Sequence, residues 1–217
     1  MKIDAYFSNL GKYTEGGDEA DWISLPLTQE DFAKVCHRIG LNGIDYKEYF
    51  FPEYDTDIAG LDDTLPEYTN ISALNYCAAC IRRLDKPSLH KLEAILLARD
   101  YTSDPADVIT ICQNLDAFDF YPDITTEEEL GRYCVDDLKL LQINEEISRY
   151  FDYEQYGEAY VINNGGYFTK RGFFCENRKP IKSWDGVVPP EYQVFLPSLQ
   201  PVKASSTKRS RRCPPTR

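Results

Sequence analysis

Cys77-Ala78-Ala79-Cys80 is a pair of residues in this 217-residue chain with the type and spacing to do chemistry. C-x-x-C spacing suits half of a zinc site or a dithiol redox pair. Zinc needs two further ligands, yet no second C-x-x-C and no H-x-H occurs, and the histidines are His37 and His90. A thioredoxin-like pair should follow a strand and open a helix. This pair sits inside the helical pattern Ile71, Leu74, Cys77, Ile81, so buried structural thiols are expected. Asp55-Thr56-Asp57-Ile58-Ala59-Gly60 begins like a calcium loop, but its fifth position is Ala59 and its twelfth is Pro66, where a bidentate Glu is needed. Walker A, G-x-G-x-x-G, G-x-S-x-G and H-E-x-x-H patterns are absent. Adjacent acids such as Asp62/Asp63, Asp136/Asp137 and Glu145/Glu146 do not face one another across a cleft when they lie on a helix. The expectation is a non-enzyme with no cofactor and no metal.

The acids matter as a set. Asp plus Glu number 36 against 24 Lys plus Arg, a net charge of −12. Residues 1–65 and 116–176 each carry −9, residues 66–115 carry −1, and residues 177–217 carry +7. Residues 1–176 therefore hold −19, a field that repels nucleic acid and attracts basic grooves. Duplex DNA presents one phosphate charge per about 1.7 Å of axis, and acids at helical i, i+3 and i+4 positions can approach that density. Two copies of 1–176 would match roughly 65 Å of duplex. Candidate partner-binding acids are Asp18, Glu19, Asp21, Asp45, Glu48, Glu53, Asp55, Asp57, Asp62 and Asp63 in the first segment. Glu127, Glu128, Glu129, Asp136, Asp137, Glu145 and Glu146 complete the set in the third. Each alone reads equally as a solvated surface charge.

The elements that must position them follow from periodicity and caps. Ile3–Ser8 alternates as a strand, Leu10–Asp21 is turn-rich, and Trp22–Leu25 reads as a second strand. Thr28 caps a helix with apolar face Phe32, Val35, Cys36 and Ile39, ended by Gly40; Tyr46–Phe51 is a third strand. Asn70, Pro87 and Asp104-Pro105 start three helices. Thr125 with Glu128 reads as a capping box, Leu138–Ile147 adds helical pattern, and Phe151–Tyr160 is an acidic aromatic segment. Asn163-Asn164-Gly165-Gly166 is a turn before hairpin strands Tyr167–Thr169 and Gly172–Cys175. The expected fold class is α+β: an N-terminal α+β domain at 1–65, a helical middle domain at 66–115, a C-terminal α+β domain at 116–176, and an extension at 177–217 whose basic end, 203–217, is disordered. No apolar run is long enough to span a membrane and no basic-then-apolar leader is visible, so reduced thiols in a cytoplasm are expected.

Asn9-Leu10-Gly11-Lys12-Tyr13-Thr14-Glu15-Gly16, followed by Trp22 and Leu25-Pro26, resembles the N-terminal signature of ArdA antirestriction proteins. Tyr150-Phe151-Asp152-Tyr153-Glu154-Gln155-Tyr156-Gly157-Glu158 resembles that family's antirestriction motif, and Gly165-Gly166-Tyr167-Phe168-Thr169 is similar to the ending that follows it. The resemblance covers about residues 1–176. It implies an elongated, curved, three-domain chain that forms a homodimer through its third domain. It also implies an acidic mimic of B-form DNA, carried on plasmids and conjugative elements. The mimic would occupy the DNA groove of type I restriction–modification enzymes, their methyltransferase core in particular. Carried over, the motif is Phe151, Asp152, Tyr153, Glu154, Tyr156, Gly157 and Glu158, serving domain packing and the dimer interface. Residues 177–217 depart from the family pattern. The acids alone leave open an adaptor for another basic DNA-handling or conjugation protein, and a hydrolase using buried acids with raised pKa values.

Overall fold

The computed structural model describes residues 1–197. β1 (Ile3–Asn9) is the central strand of a three-stranded antiparallel sheet, flanked by β2 (Ala20–Ser24) and β3 (Tyr49–Thr56). Ile3, Ala5 and Phe7 point inward from β1, and Phe7 meets the rings of Phe32, Tyr49 and Phe51 at 5.1–5.6 Å. A short helix, α1 (Leu10–Thr14), stands where the glycines suggested only turns. Asn9 accounts for it: its buried side chain accepts from the Lys12 N–H and donates to the Ile39 carbonyl, capping α1 and closing α2 together. α2 (Gln29–Arg38) is capped by Thr28 as expected, and Gly40 follows with φ of 73°.

α3 (Ile71–Arg82), α4 (Lys86–Ala98) and α5 (Pro105–Gln113) follow, capped by Asn70, Asp85 and Asp104. The buried core passes from the first sheet into these helices without a break, running from Ile3 to Phe118. The turn at Gly60 lies against α4 at this junction. The glycine's φ of 83° is one that side-chain-bearing residues rarely adopt, and a Cβ there would lie 3.1 Å from Leu96, so glycine suits a turn pressed onto α4.

β4 (Phe118–Pro122) continues directly from α5 through a one-turn helix at Leu115–Ala117. The periodicity did not mark it as a strand. It pairs with β6 (Gly172–Glu176), which also pairs with β5 (Tyr167–Thr169) in the expected hairpin. β6 is covered on both faces. Phe174, with Phe118, Phe120 and Tyr167, packs toward the main core, where Tyr101 touches three of these rings. Phe173 and Cys175 pack the other way, under α6 (Glu127–Asp136) and α8 (Tyr153–Asn164). The sheet is thus a layer shared by the helical middle and the α6/α8 pair. Glu93 fastens the layers. It is 2% exposed, its Oε1 accepts from the Ala59 N–H, and its Oε2 lies 2.9 Å from Arg171 in the β5–β6 turn.

Several local expectations shift. β2 starts two residues earlier than Trp22, and β3 three residues later than Tyr46, because Asn42 ties Ile44, Asp45 and Tyr46 N–H groups into a turn. The cap of α6 is Thr126 with Glu129, not Thr125 with Glu128. Glu129 then accepts from the N–H groups of both threonines, and Glu128 is free to pair with Arg132 at 2.8 Å. The 138–147 stretch is helical only at α7 (Glu145–Ser148); Leu138, Leu140, Leu141 and Ile147 find no surface to pack on, and a short helix without a buried face is not held. Phe151–Tyr160 falls largely within α8, which runs on through Asn163 and Asn164 and ends at Gly165. The expected disorder of 203–217 lies outside the described residues.

Cys36, Cys77, Cys80, Cys134 and Cys175 are buried free thiols, and Cys112 is partly covered. Burial pushes the Cys36 thiol up to about 12 and the Cys175 thiol to about 11, and raises Cys77 and Cys112 strongly. Tyr54, Tyr101 and Tyr121 are raised for the same reason. These groups ionise in the unfolded chain first. Their contribution to stability is complete below about pH 8.5 and is lost as pH rises toward the folded values. The melting temperature should fall steadily between about pH 8.5 and 10.5 in calorimetry. A flat profile would mean the thiols ionise inside the fold.

Candidate interaction surface

The outer face of the first sheet carries Asp4, Tyr6, Trp22, Glu53 and Asp55 side by side. Register fixes this: Tyr6 lies between Trp22 and Glu53, and Asp4 lies directly opposite Asp55. Like charges so paired repel. Lys2 sits between them, 3.6 Å from Asp4 and bonded to Asp55. Asp4 was absent from the expected set. Its signal was the strand alternation, which places it outside with Tyr6.

Of the expected acids, only Asp21 is half-buried; the other sixteen are exposed. Five are neutralised in part by a neighbour. Asp21 pairs with Arg38, Asp55 with Lys2, Asp57 with the N-terminal ammonium at 3.1 Å, Asp63 with Arg99, and Glu128 with Arg132. Glu129 serves the α6 cap. Asp18, Glu19, Asp45, Glu48, Glu53, Asp62, Glu127, Asp136, Asp137, Glu145 and Glu146 make no ion pair among the described residues. Several stand in helix first turns, Glu127 to Glu129 on α6 and Glu145 and Glu146 on α7, where the backbone N–H groups favour negative charge.

Every carboxylate with a displaced pKa is displaced downward. The Thr28 hydroxyl does this for Asp31, the Lys2 N–H for Asp57, the Ser88 hydroxyl for Asp85, and the Thr125 N–H for Glu129. The surface offers fixed negative charge and hydrogen-bond acceptors.

The aromatic acidic segment is built for contact between two helices. α6 and α8 pack against one another and meet at Gly131 and Gly157. A Cβ on Gly157 would sit 1.9 Å from the Glu127 carbonyl oxygen, and one on Gly131 1.9 Å from that of Tyr153. Tyr153 is buried, with the Arg132 guanidinium 4.4 Å from its ring centre. Phe151 meets Tyr153 edge-on at 5.0 Å and Tyr156 at a tilt at 5.5 Å, and Tyr156 packs on the small core of Leu130, Cys134, Phe173 and Cys175. Asp152 caps α8 by accepting from the Gln155 N–H, while Glu154 and Glu158 are exposed. Aromatics and glycine thus hold the helix pair, and Glu154 and Glu158 face outward from it.

A family model for the antirestriction protein ArdA matches residues 5–175. The chain belongs to this family. A comparison with curated proteins finds no significant match. ArdA membership supports an antirestriction function and an interaction with restriction enzymes. The matched span ends within β6, so the 177–197 segment lies beyond it.

Replacing Gly157 by alanine should force α6 and α8 apart. The Gly157→Ala chain is expected to lose about 1–3 kcal/mol or more, read as a lower urea midpoint, the cost of overpacking a rigid contact. An unchanged midpoint would mean the two backbones are not in contact.

Proposed function

We propose that this protein inhibits type I restriction–modification enzymes by presenting a distributed anionic surface in place of DNA. The partner is the methyltransferase core, whose Lys and Arg side chains would meet carboxylates where they otherwise meet phosphates. The observation that carries this reading is the set of eleven exposed acids that make no ion pair among the described residues, on the first sheet, its loops and the α6–α7 region, in a chain of the ArdA family. The units 1–65, 66–115 and 116–176 act in series, and 1–176 itself avoids nucleic acid because it is strongly negative.

A homodimer through the third unit belongs to the same proposal. Leu138, Leu140, Leu141, Ile147 and Tyr150 are 37–90% exposed between α6 and α8, an apolar concentration next to the motif helix. Pairing two copies there would join their acidic surfaces into one longer track. The setting proposed is a bacterial cytoplasm, on a mobile element.

In a gel shift, adding the protein to a methyltransferase core bound to its DNA should release the DNA, with the competition weakening as salt rises. Undiminished DNA occupancy at saturating protein would refute the reading. Changing a single exposed acid to its amide should cost at most about fivefold in competition, since one exposed charge is worth about 0.2–1 kcal/mol. Changing Glu127, Asp136, Asp137, Glu145 and Glu146 together should abolish it with the circular dichroism spectrum intact. A loss concentrated in one carboxylate would point to a local site instead.

A further inference from the structure

Residues 177–197 turn back from the second sheet and cross the body as an extended strap. At its start Asn177 Nδ2 donates to the Asp116 carbonyl at 2.9 Å, and Lys179 pairs with Asp116 at 3.2 Å. It then passes over α5 and α3 and ends against α2, where Pro197 lines a depression with Ala33, Cys36 and Leu41. Apart from one turn at Pro190–Tyr192 it has no regular structure. Its backbone groups must find partners elsewhere.

Those partners are side chains of the body. Asn114 at the end of α5 accepts from the Lys182 N–H and donates to the Lys182 carbonyl, both at 3.0 Å. Thr110 accepts from the Trp184 N–H at 3.0 Å. Asn75, fully buried in α3, donates to the Tyr192 carbonyl at 3.0 Å. Ser72 accepts from the Val194 N–H and donates to its carbonyl, at 3.0 and 3.1 Å. Gln29 of α2 does the same for Phe195, at 2.6 and 2.9 Å. Three body side chains thus each grip both the N–H and the C=O of one strap residue. Such grips read an extended main chain and ignore the side chain that stands there.

Selectivity comes from anchors between the grips. Trp184 and Tyr192 both lie against Tyr76, at 6.0 and 5.6 Å. Arg83 stands 5.3 Å over the Tyr192 ring and donates to its hydroxyl at 2.7 Å. Val194 is buried, and Ser183, Asp185, Gly186 and Val187 stay exposed. Pro180, Pro189, Pro190 and Pro197 limit the entropy lost on fixing the chain. Main-chain bonds for affinity and spaced pockets for identity are the physics of extended-peptide recognition.

We propose that the face formed by α5, α3 and α2 is a docking groove for an extended, proline-containing peptide with two aromatic anchors, and that the strap is its resident ligand, bound in cis and replaceable in trans. The short connection at 177–180 gives the strap an effective concentration of the order of millimolar, enough to keep the groove filled. This inference does not rest on the antirestriction reading.

The test uses the full chain with a protease recognition sequence inserted between Arg178 and Lys179, both exposed. A fluorescent peptide of residues 179–197 is then followed by anisotropy. After cleavage the peptide should bind saturably, at least tenfold more tightly than to the uncut chain, because the cis ligand is no longer tethered. Asn114→Ala or Gln29→Ala should weaken that binding about tenfold, as expected for losing a double main-chain contact. A peptide of the same composition with the two aromatics moved should not bind. The proposal is overturned if the cleaved chain loses its cooperative melt, which would make the strap part of the folding core. It is equally overturned if the folded, cleaved chain takes up no peptide, or takes up the rearranged one as well.

Discussion

β6 is the strand on which the rest of the molecule depends. Phe173 and Phe174 are adjacent and fully buried, so their side chains leave opposite faces of one strand. One face seals the core that began at Ile3; the other seats α6 and α8. A polar residue at either position would open one of the two cores to water. The Glu93–Arg171 pair works at the same joint, and its burial on the Glu93 side makes it a contact of fixed geometry rather than a loose surface attraction.

A chain this acidic must also be kept from driving itself apart. The structure does so locally. Lys2 stands between Asp4 and Asp55, the N-terminal ammonium meets Asp57, and Lys34 pairs with both Glu30 and Asp31. Other acids are absorbed by folding itself, as caps at Asp85, Asp104 and Asp152 or in the Thr126–Glu129 box. What remains outward and unpaired is a subset of the composition. A raw charge count overstates what a partner can meet.

Much of this is legible in the sequence. Helices α2, α3 and α5 announce themselves because each has a capping side chain and an apolar face in phase, two signals that agree; α4 is marked by Pro87 and its apolar spacing, and its cap, Asp85, stands two residues earlier. The β5–β6 hairpin does so through two short aromatic runs, Tyr167–Thr169 and Gly172–Cys175, set two residues apart. β4 was hidden because Phe118-Asp119-Phe120-Tyr121 alternates for only a few residues and follows a helix without a turn signal. α8 was hidden because its faces do not segregate: Gly157 and Tyr153 are buried while Ala159 and Ile162 are exposed. Its packing relies on absent side chains, which hydrophobic periodicity does not register. The acids of the candidate surface could be named from sequence, since exposure is their default state. Which of them are neutralised could not, because partners such as Arg99 for Asp63 are distant in the chain.

The return of the strap changes what kind of object the third unit is. Segments 1–115 and 177–197 hold one another through Asn114, Asn75, Ser72 and Gln29, with 116–176 emerging between them. Topologically that makes 116–176 a guest within a discontinuous host. Its entry and exit points lie side by side, where Asn177 N–H donates to the Ala117 carbonyl at 2.9 Å. The doorway at Ala117 and Asn177 holds the two ends of the host together, while the guest's own Phe118 and Phe174 complete the host's core.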